Sequence, residues 1–168
     1  MIIASALPVA GFVGCVLTAA ISDARTLRIP NILSGAIAVL FAVHAAMDLT
    51  IDATVAAVEL AVATLIIGFI GFAFGKIGGG DVKLLTVCMA WAGTEHAVEF
   101  LLVTALAGGV LALLLMSPLL TRATASLQRH WPQPTAAGSD GALARAPMPY
   151  GVAIAVGALV VAARIMAP

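Results

Sequence analysis

Two aspartates are set apart from the other acids of the chain by their neighbours. Asp81 closes the run Gly78-Gly79-Gly80-Asp81 and is followed by Lys83, and Asp23 stands in Ile21-Ser22-Asp23-Ala24-Arg25, ahead of Arg28-Ile29-Pro30-Asn31. Two carboxylates within reach of one water offer a specific chemistry. Like charges at close range cannot both ionise, so the pair shares a proton. One member takes a proton from water while its protonated partner polarises a peptide carbonyl. No metal and no covalent intermediate is needed. The pair titrates as a unit, so residue type leaves open which member is the base. Each aspartate also has a plainer reading. Asp81 can cap free N–H groups at a helix start, and Asp23 can be an exposed acid paired with Arg25 or Arg28.

The elements that must carry these residues follow from composition. Of 168 residues, 62% are apolar and only 10% charged, with a mean hydropathy of +1.15. A soluble domain has about 45–50% apolar and about 25% charged residues. The chain cannot cover a water-facing surface, which argues against a soluble enzyme, a nucleic-acid binder and a disordered protein. At about 20 residues per membrane-spanning helix, the length admits roughly six spans. Six apolar segments fit: 2–21, 32–47, 53–74, 82–92, 97–120 and 149–166. Backbone groups in lipid must be satisfied internally, and the runs are too continuous for a barrel, so the segments read as helices. The expectation is an all-α polytopic membrane protein, one integral-membrane domain over 1–168. The first segment has no Lys or Arg ahead of it, unlike a cleaved signal peptide, and is read as a retained helix.

The fourth segment is the odd one. At about 1.5 Å per residue it is short for a hydrocarbon core about 30 Å thick. It reads as a short spanning helix preceded by a glycine-rich break, its inner end below the membrane surface and Asp81 in a protein-lined recess. Three consecutive glycines give the backbone freedom and allow close approach of another chain.

Charge sets the orientation. Arg25, Arg28, Lys76, Lys83, Arg122, Arg129 and Arg145 fall on one side of the predicted topology, and only Arg164 lies outside that set. The positive-inside rule makes their side cytoplasmic. Asp23 and Asp81 share that face, and both termini lie opposite. The connection 121–149 is the long cytoplasmic loop, with 121–131 a short interfacial helix and Trp131 and Tyr150 at headgroup level. Ionisable groups at membrane depth point to function.

At this point the residues resemble the type IV prepilin peptidase family. Gly78-Gly79-Gly80-Asp81-Val82-Lys83 fits the family's GxGDxK pattern. Asp23 followed by Arg28-Ile29-Pro30-Asn31 fits its other half, and Pro149-Tyr150-Gly151-Val152-Ala153 resembles the segment opening its last helix. The resemblance implies that Asp23 and Asp81 are the catalytic aspartates of an aspartic endopeptidase. It also implies that Gly78, Gly79, Gly80, Lys83, Pro149, Tyr150 and Gly151 bind substrate or shape the site. Larger members carry an N-terminal region with paired CxxC motifs and methylate the new N-terminus. This sequence has neither feature and resembles the minimal, peptidase-only branch that includes enzymes of Flp-type, tight-adherence pili. The implied substrate is a membrane-anchored prepilin with a short basic leader, cut at the cytoplasmic face of the bacterial inner membrane.

The remaining residues read plainly. Cys15 and Cys88 are packing residues within apolar runs. His44, His96 and His130 are isolated from each other in the predicted topology, so no metal and no cofactor is expected. Lys83 either meets an acidic substrate group or anchors the helix at the surface. Pro30 and Asn31 suit a helix start, Trp91 suits the outer interface, and Gly68, Gly71, Gly108 and Gly109 suit close helix packing. Glu59 reads as a snorkelling or helix-bonding acid. The alternative function is a small proton- or cation-coupled transporter using the same aspartates. The scattered Thr64, Thr86 and Thr104 give such a path little polar lining.

Overall fold

The computed structural model describes residues 2–116 and 148–167. Five helices run through them: α1 (Ile2–Thr26), α2 (Asn31–Asp48), α3 (Ile51–Ala73), α4 (Gly79–Met116) and α5 (Tyr150–Met166). No strand occurs among the described residues. The first four helices are long and apolar enough to cross a membrane, and α5 is apolar but shorter.

Local chemistry sets the helix ends. Pro30 holds extended backbone (φ −60, ψ 131) and α2 starts at the next residue. Thr50 caps α3 by accepting a hydrogen bond from the Ala53 N–H at 3.2 Å. The chain leaves α3 through Gly75 at φ +66, which lets the Lys76 N–H reach back to the Gly71 carbonyl at 2.9 Å. Pro149, which has no N–H to leave unpaired, stands directly before α5.

The fourth and fifth predicted segments are joined directly as α4, which breaks at Gly93 (φ 56, ψ −167) into two helical arms. A side chain rarely tolerates that backbone conformation; glycine does. Asp81 and Leu85 before the break and Ala105, Gly109 and Ala112 after it line one cavity, so the arms 79–92 and 94–116 double back on each other. The glycine run also differs from expectation. Gly79 and Gly80 do not break a helix but form the first turn of α4. Asp23, expected just past the first helix, lies inside the end of α1. The predicted interfacial helix at 121–131, and the 121–149 loop up to residue 147, lie outside the described residues.

α5 packs against α1 and α4, α3 against α4, and α2 against α1 and α4. Phe12, Ile37, Leu84 and Phe100 are wholly buried where these faces meet. Trp91, expected at the interface, belongs to this interior at 4% exposure. It stacks on Phe12 with ring centroids 4.4 Å apart and on His44 at 5.0 Å. Its indole N–H donates to the Ile37 carbonyl at 3.1 Å. The reading of the glycines as packing residues divides. A Cβ on Gly68 would lie 2.7 Å from a Val82 methyl, and one on Gly71 2.7 Å from Ile77 Cδ1. Gly109 would meet nothing within 4 Å, and Gly108 only the Ala153 methyl at 3.7 Å.

Candidate active site

Asp81 is the third residue of α4, one turn after Gly78. The helix opens with the Val82 N–H bonded to the Gly78 carbonyl at 3.1 Å. The Asp81 carboxylate in turn lies back over Gly78, on the side of its amide. The placement is that of a capping box, in which a side chain in the first turn faces the capping residue's own amide. It requires room at Gly78, where an added Cβ would lie 2.7 Å from Asp81 Oδ2. Gly79 lies under the Phe72 ring, with its would-be Cβ 3.3 Å away. Asp81 is half-buried and lines a cavity of about 450 Å³ between the two arms of α4 and the start of α5.

Asp23 reaches the same place from the end of α1 and is only 4% exposed. A carboxylate near the C-terminus of its own helix is poorly placed against the helix dipole. The start of α5 offsets this: the Gly151 N–H donates to Asp23 Oδ2 at 2.7 Å. Gly151 lies in the first turn of α5, where amides lack partners within the helix. Asp23 thus caps α5 from another helix. Gly151 must be glycine for this, since a Cβ there would stand 2.8 Å from Asp23 Oδ2 and 3.0 Å from Asp23 Cβ.

The two aspartates are therefore brought together by three helix ends, and Asp81 lies within reach of the charge of Asp23. Among the described residues no ion pair reaches either of them. Lys83 is exposed and donates from Nζ to Asn31 Oδ1 at 3.0 Å, tying α4 to the start of α2. Pro149 is buried beside the site, and Tyr150 lines the Asp81 cavity with 44% of its surface exposed.

Two contributors escaped the sequence reading. Ile29 lies against both helix starts: a Cβ on Gly80 would be 3.3 Å from Ile29 Cβ, and one on Gly151 would be 3.0 Å from Ile29 Cδ1. Ser22 holds the turn before it, donating from its hydroxyl to the Arg28 carbonyl at 2.8 Å. The neighbouring motif was visible around both residues, but nothing local marked which helix starts they would meet.

The far end of the bundle holds a second cavity, about 910 Å³, lined by His44, Asp48, Trp91, His96 and Arg164 among others. His44 and His96, read as isolated, share it; His130 lies outside the described residues. His44 Nδ1 is 3.1 Å from Asp48 Oδ2, and Arg164 grips Glu99 with a closest contact of 2.8 Å. Glu59 is exposed on α3. Among the described residues no three His, Cys, Asp or Glu side chains gather as a metal cluster.

Against known protein families, residues 10–113 match the model of the type IV leader peptidase family. The match includes Asp23, Ile29 and Gly78–Asp81 and stops short of Gly151. No curated protein and no solved structure matches the chain.

Proposed function

The chain belongs to the type IV leader peptidase family, and on that premise we propose that it is an aspartic endopeptidase working through Asp23 and Asp81. The substrate is a Flp-like prepilin, whose short basic leader is cut from the apolar stem at the cytoplasmic face of the inner membrane. Both termini of the enzyme then lie on the opposite side, and no methyl transfer accompanies cleavage. The observation that carries this reading is the meeting of Asp23 and Asp81, distant in sequence, with Asp23 held by the Gly151 amide, Asp81 lying over Gly78, and no cation paired to either.

In the proposed mechanism, one carboxylate removes a proton from water as its oxygen attacks the scissile carbonyl. The other, protonated, donates to the carbonyl oxygen. The tetrahedral intermediate collapses as a proton passes to the leaving amine. The Gly151 amide keeps the Asp23 carboxylate in place without neutralising it. The half-buried cavity beside Asp81 offers room for the peptide and the water.

Transport is the weaker reading. Phe12, Val16, Leu84 and Cys88 are wholly or almost wholly buried between the aspartates and the far cavity, and such an apolar layer does not suit a proton or cation path.

The test is cleavage of a Flp-type precursor by the purified protein in detergent or liposomes, beside Asp23→Asn and Asp81→Asn. A shortened pilin with the wild type and none with either variant is expected. An inert but well-folded wild type, across several precursors, would reject the assignment and make ion flux the next measurement.

A further inference from the structure

The turn joining α1 to α2 is strained and over-held. Leu27 has φ +54, and it is the one non-glycine residue in the left-handed region among those described. Leucine enters that region at a cost and stays only when its surroundings impose it. Here they do. The Leu27 N–H bonds to the Asp23 carbonyl at 2.9 Å. The next carbonyl along, that of Arg28, accepts from the Ser22 hydroxyl at 2.8 Å and the Thr26 hydroxyl at 3.4 Å.

The turn delivers Ile29 to a defined place. Its backbone and Cβ lie on Gly80, the residue before Asp81, and its Cδ1 lies on Gly151, whose amide holds Asp23. Both contacts are tight: a Cβ on Gly80 would lie 3.3 Å from Ile29 Cβ, and one on Gly151 3.0 Å from Ile29 Cδ1, so Ile29 would have to give way to either. Ile29 therefore separates the first turn of α4 from the first turn of α5, and each of those turns holds one carboxylate.

We propose that Ile29, presented by the strained Leu27 turn and the Ser22 hydroxyl, is a positioning residue that sets the spacing of Asp23 and Asp81. The inference rests on the aspartic peptidase reading above. It touches no reacting atom and acts only through the two helix starts. Shortening Ile29 lets them move together or apart, whereas Ile29→Val keeps the branched Cβ that lies on Gly80.

The test is steady-state cleavage by the full chain in liposomes over a range of pH. Ile29→Ala is expected to lower kcat by about 100-fold, the scale of a 1 Å misplacement, with KM within about twofold. The two limbs of its kcat–pH profile are expected to shift relative to each other, because coupling between carboxylates depends on their spacing. Ile29→Val restores most of kcat. Leu27→Gly supplies a second line: relief of the left-handed strain leaves the melting temperature no lower, yet kcat falls about tenfold as the turn loosens. Ser22→Ala behaves similarly, and Ser22→Thr restores the rate.

A wild type that cleaves, with Ile29→Ala and Leu27→Gly matching it in rate and pH profile, overturns the proposal and leaves the peptidase reading intact. So does a loss of rate that only tracks a loss of folded protein. A folded wild type that cleaves nothing overturns the peptidase reading itself.

Discussion

The two ends of the helix bundle treat their carboxylates differently. At the far end Asp48 faces His44 at 3.1 Å, and Glu99 faces Arg164 at 2.8 Å and His96 at 4.0 Å. Both of these acids have a side-chain partner able to carry positive charge. At the other end Arg25, Arg28, Lys76 and Lys83 all lie near the helix termini, yet Asp23 bonds to the amide of Gly151 and Asp81 lies over Gly78. A cation compensates a carboxylate's charge and suppresses its reactivity, whereas an amide orients it and leaves most of the charge in place. Carboxylates aimed by backbone can share a proton and pass it on; carboxylates paired to cations hold helices together.

The sharpest way to break this comparison is to remove one carboxylate at each end. Asp23→Asn or Asp81→Asn is expected to lower cleavage by at least about 10²-fold, and by as much as about 10⁴-fold, the usual share of a general acid or base. Both variants insert into the membrane normally. Asp48→Asn, made beside them, keeps the wild-type rate. Equal losses at both ends in a precursor-cleavage assay would mean that the aspartate pair has no special role.

Gly151→Ala tests the amide contact itself. The new Cβ would overlap Asp23 Oδ2 at 2.8 Å and press on Asp23 Cβ at 3.0 Å; the carboxylate can rotate away, but the Cβ is fixed to the α1 backbone. Asp23 is expected to turn out of line and kcat to fall about 10²-fold, with KM nearly unchanged. Single-turnover kinetics would check this, since they isolate the chemical step.

Much of the end that holds Asp23 and Asp81 was legible in the sequence. Asp23, Asp81, the basic residues of the connecting loops, and the Pro30 and Pro149 helix starts all carry local signals. The contacts between helices did not. In a soluble helix the apolar stripe marks the buried face. In a helix surrounded by lipid the outer face is apolar too, so the pattern cannot tell which side packs inward. Trp91 was misread for this reason: an aromatic near a span's end suits headgroups as well as a core. The α4 arms were distinguishable because Gly93 falls in a short polar interval. The capping of α5 by Asp23 was not, because it joins residues 23 and 151, which no local spacing links.

The far end makes its own smaller prediction. Trp91→Phe keeps the stacking on Phe12 and His44 but removes the indole N–H that meets the buried Ile37 carbonyl at 3.1 Å. The Ile37 carbonyl keeps its place in the α2 hydrogen-bond ladder, so the loss is one net hydrogen bond, about 0.5–1.5 kcal/mol, to be read as a loss of thermal stability in detergent. Cleavage per folded molecule is expected to stay at the wild-type level, because Trp91 supports the bundle and not the aspartates. A change in kcat with unchanged stability would tie the two ends together and weaken the contrast.

The smallest effect is expected where a glycine serves neither end. Gly35 in α2 has nothing within 4 Å of a would-be Cβ and no positive φ. Glycine in a helix interior is less favourable than alanine by roughly 0.5–1 kcal/mol, because the unfolded chain has more freedom to lose. Gly35→Ala should therefore raise stability by a fraction of that amount, since a chain kept helical by lipid has less freedom to begin with. Gly151→Ala, by contrast, lowers kcat. The same chemical change thus has opposite consequences within one molecule. What separates them is whether the missing Cβ makes room for a carboxylate, and a melting curve beside a rate measurement on the two variants reads that difference directly.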